Sequence, residues 1–363
     1  MAHFSLTDLS NRSGEVVEAA FRGPVDITRR GKRKFVLLTA EEYDRAVPLM
    51  RETGWLEGQA TALGNLGALH WQAGRLDLAI DHLARALAIN RESGWLSGQL
   101  TNLANLGLVY GQMGRLAEAA EHSGQALVLT RQLSVRSGEA AILSNLGEIH
   151  HLLGRLDSAR RHLENALAVH REVTSRGNEV DTLCSLSAVH RDAGDLGSAR
   201  ELARTALSLA PATGEHRLEA DALHAVGAIH ADLGEHHQAI GYYTRAVERA
   251  GTAEAHARVR ALIGLANARR RIGEHRSAVA DAEQAVSVAR AAAFRVLEGQ
   301  ALTALAAAYT AVGDRESAIA TAERALAIHR ETGHRPGEAM ALQVLGDLAH
   351  QVGSSMAGGE TPP

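Results

Sequence analysis

From Leu63 onward, apolar residues recur at spacings of three and four, and glycine interrupts them about once every forty residues. Leu63, Leu66 and His70 mark one stripe, and Leu76, Ala79, Ile80, Leu83, Ala86 and Leu87 mark a second. Each stripe is the buried face of an amphipathic helix. Gly74, followed at once by Arg75, stands between them, where a helix C-terminus favours a residue tolerant of positive φ. So short a joint makes the two helices antiparallel neighbours. Matching glycines at Gly114, Gly154, Gly194, Gly234, Gly273, Gly313 and Gly353 set a period of 40 residues with one step of 39. The apolar set keeps register with them, as in Leu143, Leu146, Gly147, Ala159, Leu163 and Ala166. Ala79, Ala86, Ala119, Ala126 and their later repeats are small where helices approach closely. A fixed period of this length predicts a mostly α solenoid of stacked helix pairs.

The pattern Leu66-Gly67-x-x-His70, Gly74, Ala79, Ala86, and more closely Leu106-Gly107-x-x-Tyr110, Gly114, Ala119, Ala126, resembles the tetratricopeptide repeat. The resemblance spans residues 53 to 353 and implies a right-handed α-solenoid of seven helix pairs closed by a last first-helix at 337–352. The 40-residue unit, with Arg91-Glu92-Ser93-Gly94 and Arg330-Glu331-Thr332-Gly333 between copies, is similar to the longer subtype found in peptide-binding scaffolds and bacterial regulators. Two departures stand out. Most copies lack the loop proline, and Ala266 and Ala306 replace the glycine of the first copy.

Residues 1–46 fall outside the array. Asp8 to Arg22 reads as a helix ended by Gly23-Pro24, Val25 to Thr28 as a strand, Arg29 to Lys32 as a turn and Phe35 to Leu38 as the returning strand. Thr39 with Glu41 and Glu42 opens a second helix. The run from Gly23 to Lys32, with Val36-Leu37-Leu38-Thr39-Ala40-Glu41-Glu42-Tyr43, resembles the prevent-host-death (Phd/YefM) antitoxins. That resemblance implies a small α+β module, helix–hairpin–helix, that forms a homodimer, binds operator DNA and works with a cognate toxin. The toxin-neutralising tail of that family is missing, because after Pro48 the sequence Leu49 to Trp55 repeats the unit end Ile89 to Trp95. The expected domains are therefore 1–46, a solenoid over 47–353, and a Gly/Ser/Pro-rich tail over 354–363 expected to be disordered.

Charge adds a candidate surface to the module. Arg29, Arg30, Lys32, Arg33 and Lys34 crowd around one turn and can neutralise phosphates, with Arg12 a weaker candidate. A solvated hairpin tip is the alternative. The chain of 363 residues carries a net charge of −4, which does not by itself point to nucleic acid. Its one cysteine, Cys184, rules out an internal disulfide framework and suits a reducing cytoplasm. No apolar run approaches ~18 residues, so no membrane span is expected.

The candidate binding stripe lies on the inner side of the first helices. Asn65 and Gln72, Asn105 and Gln112, then Asn145 repeat at one-unit intervals. Helices stack at ~10 Å and an extended peptide rises ~3.3 Å per residue, so successive amides can meet every third peptide unit. A carboxamide donates and accepts, and so holds backbone without reading sequence. Inter-repeat hydrogen bonds are the alternative use. Further on, Asp181, Asp192, Asp221 and Asp232 give way to Arg260, Asn267 and Arg271. These charges either meet a ligand with a cation near its middle and a carboxylate toward the C-terminal end, or pair across repeats.

Catalytic and metal chemistry find no foothold. His70, His150, His190 and His230 replace Tyr110 and Tyr309 one repeat apart, too far to share an ion, and read as packing. There is no HExxH, paired CxxC or phosphate-binding loop. Cys184 lacks an evident base. The expectation is a non-catalytic regulator without metal or cofactor, its groove holding a peptide or protein. A pure interaction scaffold, with the module only a dimerisation cap, is the alternative.

Overall fold

The computed structural model describes residues 2–5, 25–29, 32–37, 56–72 and 75–357. Three strands, β1 (Ala2–Ser5), β2 (Val25–Arg29) and β3 (Lys32–Leu37), form one sheet in that order. β1 runs parallel to β2, and β2 antiparallel to β3 with an irregularity between Ile27 and Thr28. The hairpin falls where the alternation placed it, but the strands reach further in, so Arg29, Lys32, Arg33 and Lys34 are strand residues with Arg29 opposite Lys32. β1 was not foreseen, because four residues carry too little alternation to register. The helices expected at 8–22 and after Thr39, together with Arg12 and Arg30, lie outside the described residues.

Fifteen helices follow among the described residues. They are α1 (Leu56–Gln72), α2 (Leu76–Glu92), α3 (Leu96–Gln112), α4 (Leu116–Gln132), α5 (Arg136–Leu152), α6 (Leu156–Glu172), α7 (Arg176–Asp192) and α8 (Leu196–Leu209). Then come α9 (His216–Asp232), α10 (His236–Ala250), α11 (Ala255–Arg271), α12 (His275–Ala291), α13 (Arg295–Val312), α14 (Arg315–Thr332) and α15 (Arg335–Ala357). Odd-numbered helices are first helices and even-numbered ones second helices, giving seven pairs and a last first-helix. The chain forms two bodies, residues 1–105 and 106–363.

The joints explain the constant period. Gly114, Gly154, Gly194, Gly234, Gly273 and Gly313 all have positive φ. The residue after each glycine donates its amide to a carbonyl five positions back, as in Arg115 N to Tyr110 O at 2.8 Å and Arg155 N to His150 O at 2.8 Å, the double-bonded stop of a helix with a left-handed residue. Asp195 and Asp314 then cap the next helix by accepting from Ser198 N and Ser317 N. The single 39-residue step is taken up where α10 ends at Ala250 and Gly251 turns the chain. Pro211 ends α8 early and tightens the next four residues into a 3₁₀ turn.

The core is a string of small contacts. The first-helix glycine packs on the residue sixteen positions later: a Cβ on Gly67 would lie 2.6 Å from Leu83 Cγ, and one on Gly227 would lie 3.0 Å from Tyr243 Cδ1. Where that later residue is Ala203, Ala282 or Ala322, the earlier one is Ser187, Ala266 or Ala306. The two alanine departures from the repeat pattern thus face small partners, and Ala266 and Ala282 share one core cluster. A first-helix residue larger than glycine is thus matched by a small partner, as close packing requires, while Gly107 stands opposite the small Ser123.

Within the second body, the Gly114 joint lies against Val296 and Thr332, and the Gly154 joint against Arg335 and Pro336. The early repeats of that body therefore touch its late ones, and first-helix side chains between them stand in a recess. The expected end of the array at 353 is corrected: α15 continues through Gly353 to Ala357. A helical glycine costs only ~1 kcal/mol, so the helix passes Gly353 without a break.

Candidate concave binding surface

The amides of the expected ladder fall in both bodies. Asn65 and Asn105 belong to the first, Asn145 to the second. Asn65 is exposed, whereas Asn105, Asn145 and Asn267 are half-buried. The latter three have no hydrogen-bond partner among the described residues. Asn65 and Gln112 do interact within the chain, and the side chain of Gln72 lies outside what is described. The ladder is therefore not a uniform row of inter-repeat hydrogen bonds.

Most of the charged stripe pairs with itself. Arg217 reaches back to Asp181 with both terminal nitrogens, each at 2.8 Å, and its Nη1 lies 3.4 Å from Asp221. Arg260 donates to Asp221 at 3.0 Å. His151 meets Asp192 at 2.7 Å, and Arg191 joins Asp192 at 2.8 Å to Asp232 at 3.5 Å. Hydrogen bonding to Asp181 raises the Arg217 guanidinium above its ordinary value. Burial alone would raise the Asp192 carboxyl, but the His151 hydrogen bond and the Arg191 charge outweigh it and hold it at about 2. Burial pushes the Asp232 carboxyl up against the pull of Arg191. Arg271 is exposed and has no counter-ion among the described residues.

Arg217, His224 and His256 were not picked out from the sequence. They sit off the chosen stripe, but the signal existed. Arg217 is one turn before Asp221 and 36 residues after Asp181, a separation that also joins Arg136 to Glu172 and Arg295 to Glu331. For Arg217 that offset joins first helices of adjacent repeats, whereas Arg136–Glu172 and Arg295–Glu331 each join the two helices of one pair. Burial and the Arg260 charge keep His224 well below its ordinary value, and the same two causes hold His256 at about 4.

The histidine row packs as its spacing suggested. His70 stacks on His82 at 5.0 Å, His150 on His162 at 5.3 Å and His230 on Tyr242 at 5.1 Å, each joining a first helix to its second. Cys184 is buried, and burial raises its thiol. The cationic residues of the hairpin are placed only by backbone register, with Thr28 opposite Arg33 and Arg29 opposite Lys32. No helix among the described residues is long and apolar enough to cross a membrane.

Residues 58–132, 138–212 and 218–291 match one sequence profile of the tetratricopeptide repeat, and 301–336 match another. The chain belongs to the tetratricopeptide repeat family. Its fold is similar to that of a Rap protein complexed with Competence and Sporulation Factor, at 13% identity and TM-score 0.52, over 87% of this chain and 98% of that one. It is also similar to NprR in complex with its cognate peptide NprX, at 13% identity and TM-score 0.58, over 81% of this chain and 83% of that one. In sequence, 49 residues are 45% identical to an uncharacterized protein, y4eA, of Sinorhizobium fredii. That match spans 14% of this chain and about half, 52%, of the relative's length.

Proposed function

We propose that this chain is a non-catalytic regulator whose concave first-helix surface holds an extended peptide or protein segment. The observation that carries the reading is the pair of half-buried amides at Asn145 and Asn267, both within residues 106–363, that have no partner among the described residues. Their amide atoms are not sealed from water, so each keeps a donor and an acceptor open to a ligand backbone. The likeness in fold to NprR, whose structure holds its cognate peptide NprX, supports the same reading. The paired charges of Asp181, Arg217, Asp221 and Arg260 then act as a rigid floor, and the amides make the contacts. Retention of synthetic peptides by the full-length protein tests this, and binding should fall when Asn145 and Asn267 become alanine.

The N-terminal hairpin is proposed to contact operator DNA as part of a homodimer, and a cognate toxin is the further partner its resemblance implies. The register that places Arg29 beside Lys32, next to Arg33 and Lys34, supports a cationic hairpin end. Duplex binding should fall steeply with salt. If wild-type protein shifts no duplex at low salt, the hairpin is only a cap and the chain acts as an interaction scaffold.

A further inference from the structure

Among the described carboxylates of the inner wall, Asp181, Asp221, Asp192 and Asp232 each have a cation at ion-pair distance and Glu148 does not. Asp181 has Arg217, Asp221 has Arg260 and Arg217, Asp192 has His151 and Arg191, and Asp232 has Arg191. Glu148, on α5 one turn after Asn145, is bound only by the Ser185 hydroxyl, which donates to its Oε1 at 3.0 Å. Water reaches Glu148, yet protein crowds it from several sides, because Asp181 of α7, Asp221 of α9 and Arg260 of α11 all act on it. Burial first, and the Asp181 charge second, push its carboxyl above the ordinary range. An accessible carboxylate in such a recess is held at a cost that an incoming cation removes. At the far end of the same stripe the imbalance reverses, since Arg271 is exposed without a counter-ion and adds to the burial that lowers the neighbouring Arg270.

We propose that Glu148 is the docking point for a positive group of the groove's ligand, an ammonium or guanidinium, with Ser185 fixing the carboxylate and Asn145 holding the adjoining backbone. Arg271 receives a negative group further along. This assigns a polarity to the ligand: its cationic part lies at the third repeat and its anionic part at the sixth. The inference rests on the peptide-groove reading. The cation has two possible sources, the ligand's amino terminus or a basic side chain, and both satisfy the same carboxylate.

The test uses synthetic nonapeptides randomised over all residues except lysine, arginine and histidine, applied to immobilised full-length protein. Three versions are compared: free amino terminus, N-acetylated, and N-acetylated with one lysine. At least one cation-bearing version should be retained about tenfold better than the cation-free one, the increment of a charge-assisted hydrogen bond. Which version gains names the source of the cation. The preference should vanish in Glu148→Gln while retention of the cation-free peptides is unchanged. Acidification should erase the preference at a higher pH than an ordinary glutamate would require. Equal retention of all three versions, or a preference that survives Glu148→Gln, overturns the assignment and leaves the groove reading standing. Retention of none above a protein-free column overturns both.

Discussion

A methyl group added at Gly147 should cost stability, although alanine is the better helix former. Its Cβ would stand 2.7 Å from Leu163 Cδ2 and 3.3 Å from the Ala159 carbonyl oxygen, and Leu163 is fully buried. Replacing a helical glycine by alanine gains ~1 kcal/mol where space is open, whereas overpacking costs ~1–3 kcal/mol. Gly241 provides the control, with nothing within 4 Å of an added Cβ. Gly241→Ala should therefore stabilise, and the two substitutions should differ by ~1–3 kcal/mol. Leu163→Ala alone should lose ~2–5 kcal/mol by opening a cavity. In the Gly147→Ala background its cost should be smaller by roughly the overpacking term, since the new methyl occupies part of the space. Urea unfolding followed by circular dichroism measures all four proteins. If Gly147→Ala stabilises as Gly241→Ala does, or if the two substitutions simply add, the paired-volume account of the core is wrong.

Ser134, Thr174 and Ala293 adopt positive φ where Gly94, Gly214 and Gly333 serve the same inter-unit joint. Thr174→Gly should stabilise by ~0.5–1 kcal/mol, since a left-handed L-residue costs ~1–2 kcal/mol and glycine gives part of that back as unfolded-state entropy; a lower urea midpoint would refute this. Burial holds His329 at about 4 and His334 at about 3, below the ordinary ~6.5. The unfolded chain thus binds more protons, so stability should fall as pH drops from ~6.5 toward those values. The double variant His329→Gln, His334→Gln should flatten that pH slope, and an unchanged slope between neutral and mildly acidic urea melts would count against it. Arg217→Ala should destabilise by ~1–3 kcal/mol, less than for a fully buried pair because Arg217 and Asp181 are both about a third exposed; it strips Asp181 of its partner and leaves buried Asp221 with Arg260 alone. A variant that also carries Asp181→Asn should recover part of the loss, and no recovery would contradict the network.

The helix pairs were legible because each repeats the same apolar register, and the joint glycines announce a backbone conformation few other residues accept. A glycine alone does not announce a stop, since α15 runs through Gly353. The Gly67 alternatives Ala266 and Ala306 looked like departures until their partners Ala282 and Ala322 were read with them. The site was less legible. One stripe can be drawn along each helix, but whether Asp221 meets a ligand or Arg260 depends on how neighbouring helices rotate, which the period alone does not fix. Arg217 and Glu148 illustrate both outcomes, one absorbed into pairing and the other left open.

The central claim is that unpartnered amides hold ligand backbone. Retention of the free-amine nonapeptide library by full-length protein should be compared with that of the double variant Asn145→Ala, Asn267→Ala. Hydrogen bonds worth ~0.5–1.5 kcal/mol each predict a loss of about fivefold to about 150-fold, alike across peptide sequences, with melting unchanged. Normal retention together with a lower melting temperature would make the amides structural and contradict the account.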